Sequence, residues 1–229
     1  MIMRRYIMLT ATVPLFASLA LLAGCGLLSQ PKIPPMNRYR IAPTVVNPPA
    51  VATACPLVLQ VRSVGASTPW ATNDMLYTET THSVASYAYH QWAADPATML
   101  TGDLVEALGG SGLYRGVIGA LSLGNADLIL SVTLTKGPLQ VFSARSAQAG
   151  KGDSATDRTS RETLALDANL TDSETGNLIA SKSFSAEQSA APNPQGGVVA
   201  ANALAGKLIG QILDWLAQTN PTIKGCTAR

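Results

Sequence analysis

"TLALDANLTDSETGNLIASKSFSA", residues 163–186, decides the fold. Leu164, Leu166, Ala168 and Leu170 alternate with polar positions that include Asp167 and Asn169. That is the period of a strand with one face buried and one face wet. Residues 172–177, Asp-Ser-Glu-Thr-Gly-Asn, are turn formers, and a second run returns over 178–186. The pattern predicts an antiparallel hairpin.

Toward the C-terminus, a polar loop with Pro192 and Pro194 leads into 198–216. There Ala201, Leu204, Ala205, Leu208, Ile212, Trp215 and Leu216 fall on one helical face. Lys207, Gln211 and Asp214 occupy the opposite side, which argues for a core helix over a membrane span. Toward the N-terminus, 144–160 reads as a loop rich in Ser, Ala and Gly. Residues 126–135 form a strand with Leu128, Leu130, Val132 and Leu134 inward, and 113–118 form a shorter one. Asp95 caps a helix with Pro96 at its first position. Met99, Leu100, Leu104 and Leu108 supply its buried face, and Gly109-Gly110 is the expected left-handed stop. Residues 75–89 read as another hairpin and 57–64 as the first core strand. The expected fold is α+β, a two-layer domain over 55–219 with a mostly antiparallel sheet packed by two main helices, followed by a tail at 220–229.

The residues before it have a different character. Residues 1–5 hold Arg4 and Arg5 and no acid, and 6–23 carry no charge. That is the layout of a secretory signal. Leu22-Ala23-Gly24-Cys25 has the form of a lipobox. Residues 1–24 are therefore expected to be cleaved and Cys25 to be acylated, with palmitate among its chains. Each buried methylene contributes about 0.8 kcal/mol, so several chains make a durable anchor. Gly26 follows Cys25 where an Asp would favour inner-membrane retention, so the expected address is the periplasmic side of the outer membrane. Residues 25–54 carry prolines at 31, 34, 35, 43, 48 and 49 and read as a tether, with a short strand at 39–41.

Composition narrows the function. The chain has 16 Lys+Arg and 14 Asp+Glu, and Arg4 and Arg5 belong to the leader, so the rest is formally neutral. No basic stripe interleaved with aromatics is present, which argues against nucleic acid as a partner. Charged residues make up 13% of the chain, a low share that suits docking against protein or lipid. Cys55 and Cys226 remain besides Cys25. An oxidising periplasm permits a disulfide between them; two separate thiols are the alternative.

No chemistry-bearing motif survives inspection. There is no His-Glu-x-x-His, no P-loop and no dinucleotide fingerprint. Gly119-Ala-Leu-Ser122-Leu-Gly124 resembles a nucleophile elbow, but the Gly before the serine is misplaced. His82 and His90 are the two imidazoles, and they read as polar hairpin residues rather than metal ligands. No catalytic residue, metal or cofactor is expected. Tyr77, Tyr87, Tyr89 and Trp92 form an aromatic group that serves either as core packing or as a docking surface.

The stretch from Met75-Leu76-Tyr77 through Tyr87-Ala88, Trp92, Pro96, Met99-Leu100, Leu104, Leu108 and Gly112 resembles the ABC-type transport auxiliary lipoproteins of the paraquat-inducible protein C type. The likeness continues through 126–134, the hairpin at 164–184 and Asp214-Trp215-Leu216. Members of that family often carry Arg before the tryptophan; this chain has Gln91. The resemblance implies a non-catalytic auxiliary component of a lipid transport system between inner and outer membranes. Its expected partner is the bridging protein with mammalian-cell-entry domains. Tyr87, Tyr89 and Trp92 are the candidate docking residues, with Tyr87 and Tyr89 two apart on one strand face. A structural or assembly lipoprotein supporting an outer-membrane component is the alternative, and oligomeric state, a homo-oligomer included, stays open.

Overall fold

The computed structural model describes residues 32–45, 54–143 and 158–226. Cys25 and the leader lie outside the described residues, as does most of the expected loop at 144–160. The chain divides into two units, Met1–Pro35 and Met36–Arg229, and every strand and helix named below belongs to the second.

Its elements in order are β1 (Asn37–Tyr39), β2 (Cys55–Val61), β3 (Gly65–Ala66), β4 (Asp74–Thr78), β5 (Ala85–Trp92), α1 (Pro96–Gly110), β6 (Tyr114–Gly119), β7 (Leu128–Ser143), β8 (Thr159–Asp172), β9 (Leu178–Ala190) and α2 (Pro194–Thr219). A 3-10 turn at Asn220–Thr222 closes the C-terminal end. The nine strands make one sheet, and the expected α+β class is borne out. The hairpin at 163–186 is β8–β9, paired antiparallel from Ser160↔Ala190 to Thr171↔Leu178.

β7 is the spine. It pairs antiparallel with β8 along its whole length. Its other edge is shared in succession by β2 at Leu128–Leu130, β3 at Thr133–Leu134 and β4 at Leu139–Val141, all parallel. β6 flanks β2, β5 flanks β4, and β1 flanks β5. The longest ladders are antiparallel, and the short side strands add parallel pairing. β7 outruns the strand expected at 126–135, and Gly137-Pro138 lies at a bulge within it. Gly137 sits at φ +74, and a Cβ there would strike the Thr163 carbonyl oxygen at 2.1 Å. Only glycine fits that crossing.

Both helices pack on one face of the sheet. Leu128, Leu130, Val132 and Leu134 of β7 and Leu164, Leu166, Ala168 and Leu170 of β8 are buried there. Above them α2 lays down Ala201, Leu204, Leu208, Ile212 and Leu216, and α1 lays down Leu100, Leu104 and Leu108. The α2 pattern is thus a core face, as the opposed polar residues indicated. Asp95 accepts from the Ala97 N–H at 2.7 Å, and Asn193 caps α2 by accepting from Gly196 N–H at 2.8 Å. The α1 stop is displaced from expectation. Gly109 and Gly110 are helical, Ser111 is the C-cap, and the left-handed glycine is Gly112 at φ +70.

The folded unit takes in part of the segment expected to be tether. β1 pairs parallel with β5, and Ile41 is buried. Asn202 of α2 holds this strap from both sides, accepting from Ala42 N–H at 2.6 Å and donating to the Arg40 carbonyl at 3.4 Å. Gly206 leaves room for the Thr44 carbonyl, which a Cβ would meet at 2.6 Å. Prolines made this stretch read as free chain; they also suit an extended strap on a helix. The C-terminal residues join too. Cys226 is disulfide-bonded to Cys55 with their Cα atoms 4.4 Å apart.

Candidate docking surface

The aromatic hairpin forms, but not with the expected faces. Asp74 pairs with Gln91 and Leu76 with Ser86, so β5 uses Tyr87–His90 where β4 uses Met75. This bulge breaks the two-residue alternation. Tyr87 and Tyr89 therefore do not form one docking face. Tyr89 is 41% exposed. Tyr87 is half-buried and donates its hydroxyl to Gln140 Oε1 at 2.8 Å. Trp92 is 2% exposed and belongs to the core, which removes it as a docking residue.

The rings form a run across the sheet. Tyr39 stacks on His90 with centroids 5.9 Å apart, and its hydroxyl lies 3.1 Å from His90 Nδ1. His90 meets Tyr87 edge-on, Tyr87 lies 4.6 Å from Tyr77, and Tyr77 meets Phe142 edge-on. Gln91 donates to Asp74 Oδ1 at 3.1 Å. His82 lies exposed in the turn, away from this run.

Beneath the run sits a buried polar cluster the sequence did not signal. Gln140 and Glu162 are both buried on adjacent strands. Gln140 Nε2 donates to Ser160 Oγ at 2.9 Å and to the Ala191 carbonyl at 2.9 Å, fastening β7 and β8 to the loop before α2. Burial pushes the Glu162 carboxyl well above its usual range. The Tyr87 phenol is raised by burial first and by Glu162 second. Gly197 lies over both groups: a Cβ there would come within 2.9 Å of Gln140 Oε1 and 3.3 Å of Glu162 Oε2. Through Gln140 and Ser160 the cluster joins β7, β8 and the loop before α2. Ser122, from the rejected elbow motif, lies in the exposed β6–β7 loop. Among the described residues no three His, Cys, Asp or Glu side chains gather as a metal site.

Other exposed apolar groups lie at the opposite end. Leu121 is 96% exposed and Leu123 wholly so, both in the β6–β7 loop, and Leu178 is 60% exposed at the start of β9.

This two-layer arrangement is that of a solved protein from Xanthomonas campestris described as DUF330. The two are 19% identical, with 81% of this chain and 97% of that one covered at a TM-score of 0.65. A second solved structure, of an uncharacterized protein, is 17% identical over 81% of this chain and 98% of its own, at a TM-score of 0.53. A lipoprotein from Neisseria meningitidis, GNA1162, is similar at 15% identity and a TM-score of 0.34 over 71% of this chain and 99% of that one, too distant to bear on function. At these identities the likeness establishes the fold. No protein-family model matches the chain, and no curated protein matches it.

Proposed function

We propose that this protein is a lipid-anchored lipoprotein on the periplasmic side of the outer membrane, serving as a non-catalytic auxiliary component of an ABC-type lipid transport system. The observation that carries the reading is the segment from Met75 to Gly112. Its resemblance residues fold as one piece, with Met75, Trp92, Leu100, Leu104 and Leu108 buried together and Tyr77 and Tyr87 in ring contact above them. The lipobox at residues 22–25 supplies the anchor. The proposed partner is the bridging protein with mammalian-cell-entry domains, and docking rather than turnover is the activity.

Tagged full-length protein is purified from detergent-solubilised membranes and its partners are identified by mass spectrometry. Recovery of the bridging protein is expected. Recovery of an outer-membrane barrel in its place would favour an assembly lipoprotein. Recovery of neither would defeat the transport reading. Cys25→Ser separately tests the anchor. Labelled palmitate should enter the wild type and not the variant, and equal labelling of both would remove the lipoprotein reading.

A further inference from the structure

We propose that the helix-free face of the sheet at its β6–β7 end docks the bridging protein, through a segment of that partner carrying apolar side chains beside Lys or Arg. This rests on the transport reading above and names its surface. Strand register supplies the first observation. Leu178, Thr171, Ile129, Gln60 and Ile118 pair in succession across β9, β8, β7, β2 and β6, making one rung. At about 4.8 Å per strand the rung is about 19 Å wide. It lies on the face opposite the buried Leu128 and Leu130, so neither helix covers it. The β6–β7 loop rests against its end, where Gly124 approaches Ile118 to 3.7 Å of a built Cβ. From that loop Leu121 and Leu123 project fully into solvent. Two wholly exposed leucines separated by one residue, beside Ile118 of the rung, extend an apolar patch of the kind that marks an interaction site.

Charge selects the occupant. Asp127, Asp172 and Glu174 rim this end, with Ser173 N–H donating to the Asp127 carbonyl at 3.0 Å and so joining the β8–β9 turn to the loop. Hydrogen bonds from Thr175 hold the Asp172 carboxyl below its usual range, so it stays charged. Arg115, 3.8 Å from Asp127, and exposed Arg62 offset only part of this. An acidic rim repels an anionic lipid surface and attracts a basic protein surface. Position agrees. β1, where the chain enters the fold, lines up through Arg38, Gln91 and Asp74 with the far half of β7 near Leu139. The leucine loop lies beside Leu128–Leu130, about 25–30 Å away along the strand. The anchored chain therefore enters at one end, and the rung with its leucine loop lies at the other.

The test places a photo-crosslinking residue at 121 or 123 of the full-length chain in its own envelope, with Lys207 on the outer side of α2 as the control position. Adducts with the bridging protein are expected at 121 and 123 and not at 207. Leu121→Ser with Leu123→Ser should lower recovery of the bridging protein about tenfold with Tm unchanged, because exposed side chains contribute little to folding. Glu174→Lys should also lower it. Adducts with lipid or with a second copy of the chain, or normal recovery by the double serine variant, would overturn the surface and leave the transport reading standing. Failure of the wild type to recover the bridging protein defeats both.

Discussion

Tyr87 shows how a single side chain changes meaning between sequence and structure. As one of two tyrosines spaced two apart it looks like half of a docking face. In the fold its hydroxyl is the donor to Gln140 Oε1. Tyr87→Phe strands that buried acceptor and should cost about 1–3 kcal/mol in denaturant unfolding. Tyr89→Ser, at an exposed position, should change stability by no more than about 0.5 kcal/mol. Glu162 makes a second residue-scale prediction. Its carboxyl titrates higher in the folded chain than unfolded because burial disfavours the charge. Such a group contributes its full stabilisation below the unfolded value, and loses it as pH rises through the folded value. Glu162→Gln should therefore gain on the wild type in Tm as pH rises above the ordinary glutamate range, and the two should converge in acid. A constant offset across the titration would refute this. Neither residue was legible as a buried group. Glu162 sits before the alternating run, and Gln140 lies beyond the Gly137-Pro138 bulge that conceals the second half of β7.

At the scale of elements, legibility followed local periodicity. The β8–β9 hairpin, the capped start of α1 and the core face of α2 are written in neighbouring residues, and they form as read. What local pattern misses is where an element meets a distant one. The β5 bulge falls between its two points of pairing with β4, at Ser86 and at Gln91, where β1 also pairs, and nothing within residues 85–92 announces it. The strap is missed for the same reason, since its partner Asn202 lies 160 residues away from Ala42. Asn202→Ala should free the Ala42 N–H and the Arg40 carbonyl. Amide exchange at residues 40–42 should then rise about tenfold or more while the α2 core stays protected. Unchanged exchange in the strap would show that Ile41 burial alone holds it.

Over the whole molecule, the bond between Cys55 and Cys226 joins the first residue of β2 to the C-terminal turns across 171 residues of sequence. Chain-entropy arithmetic for so large a loop gives up to about 5 kcal/mol, less whatever the native geometry costs. Mature protein unfolded without reductant should show no thiol reactive toward a titrant at these two positions. Two reactive thiols would exclude the bond in the native compartment. Loss of it should lower Tm without altering the order of strands, because Leu113, Tyr114 and Asn220 still close that end through the Tyr114 hydroxyl to Asn220 Oδ1 at 2.8 Å.

The same bond also sets a mechanical limit. On the proposed lipid anchor, tension arriving at Met36 would first load β1, which is three residues long and pairs with β5 at three positions. The Asn202 clamp is the next resistance. Beyond the strap the pull would reach Cys55, where the bond to Cys226 divides the load between β2 and the C-terminal turns. Residues 36–54 span at most about 60 Å when fully extended, at roughly 3.3 Å per residue, so their release lengthens the reach by that span less what they already cross in the fold. On that anchor the domain would reach farther under strain, with the disulfide bracing the first core strand against the pull. In a reducing medium that brace is gone, and the same pull would fall on β2 alone.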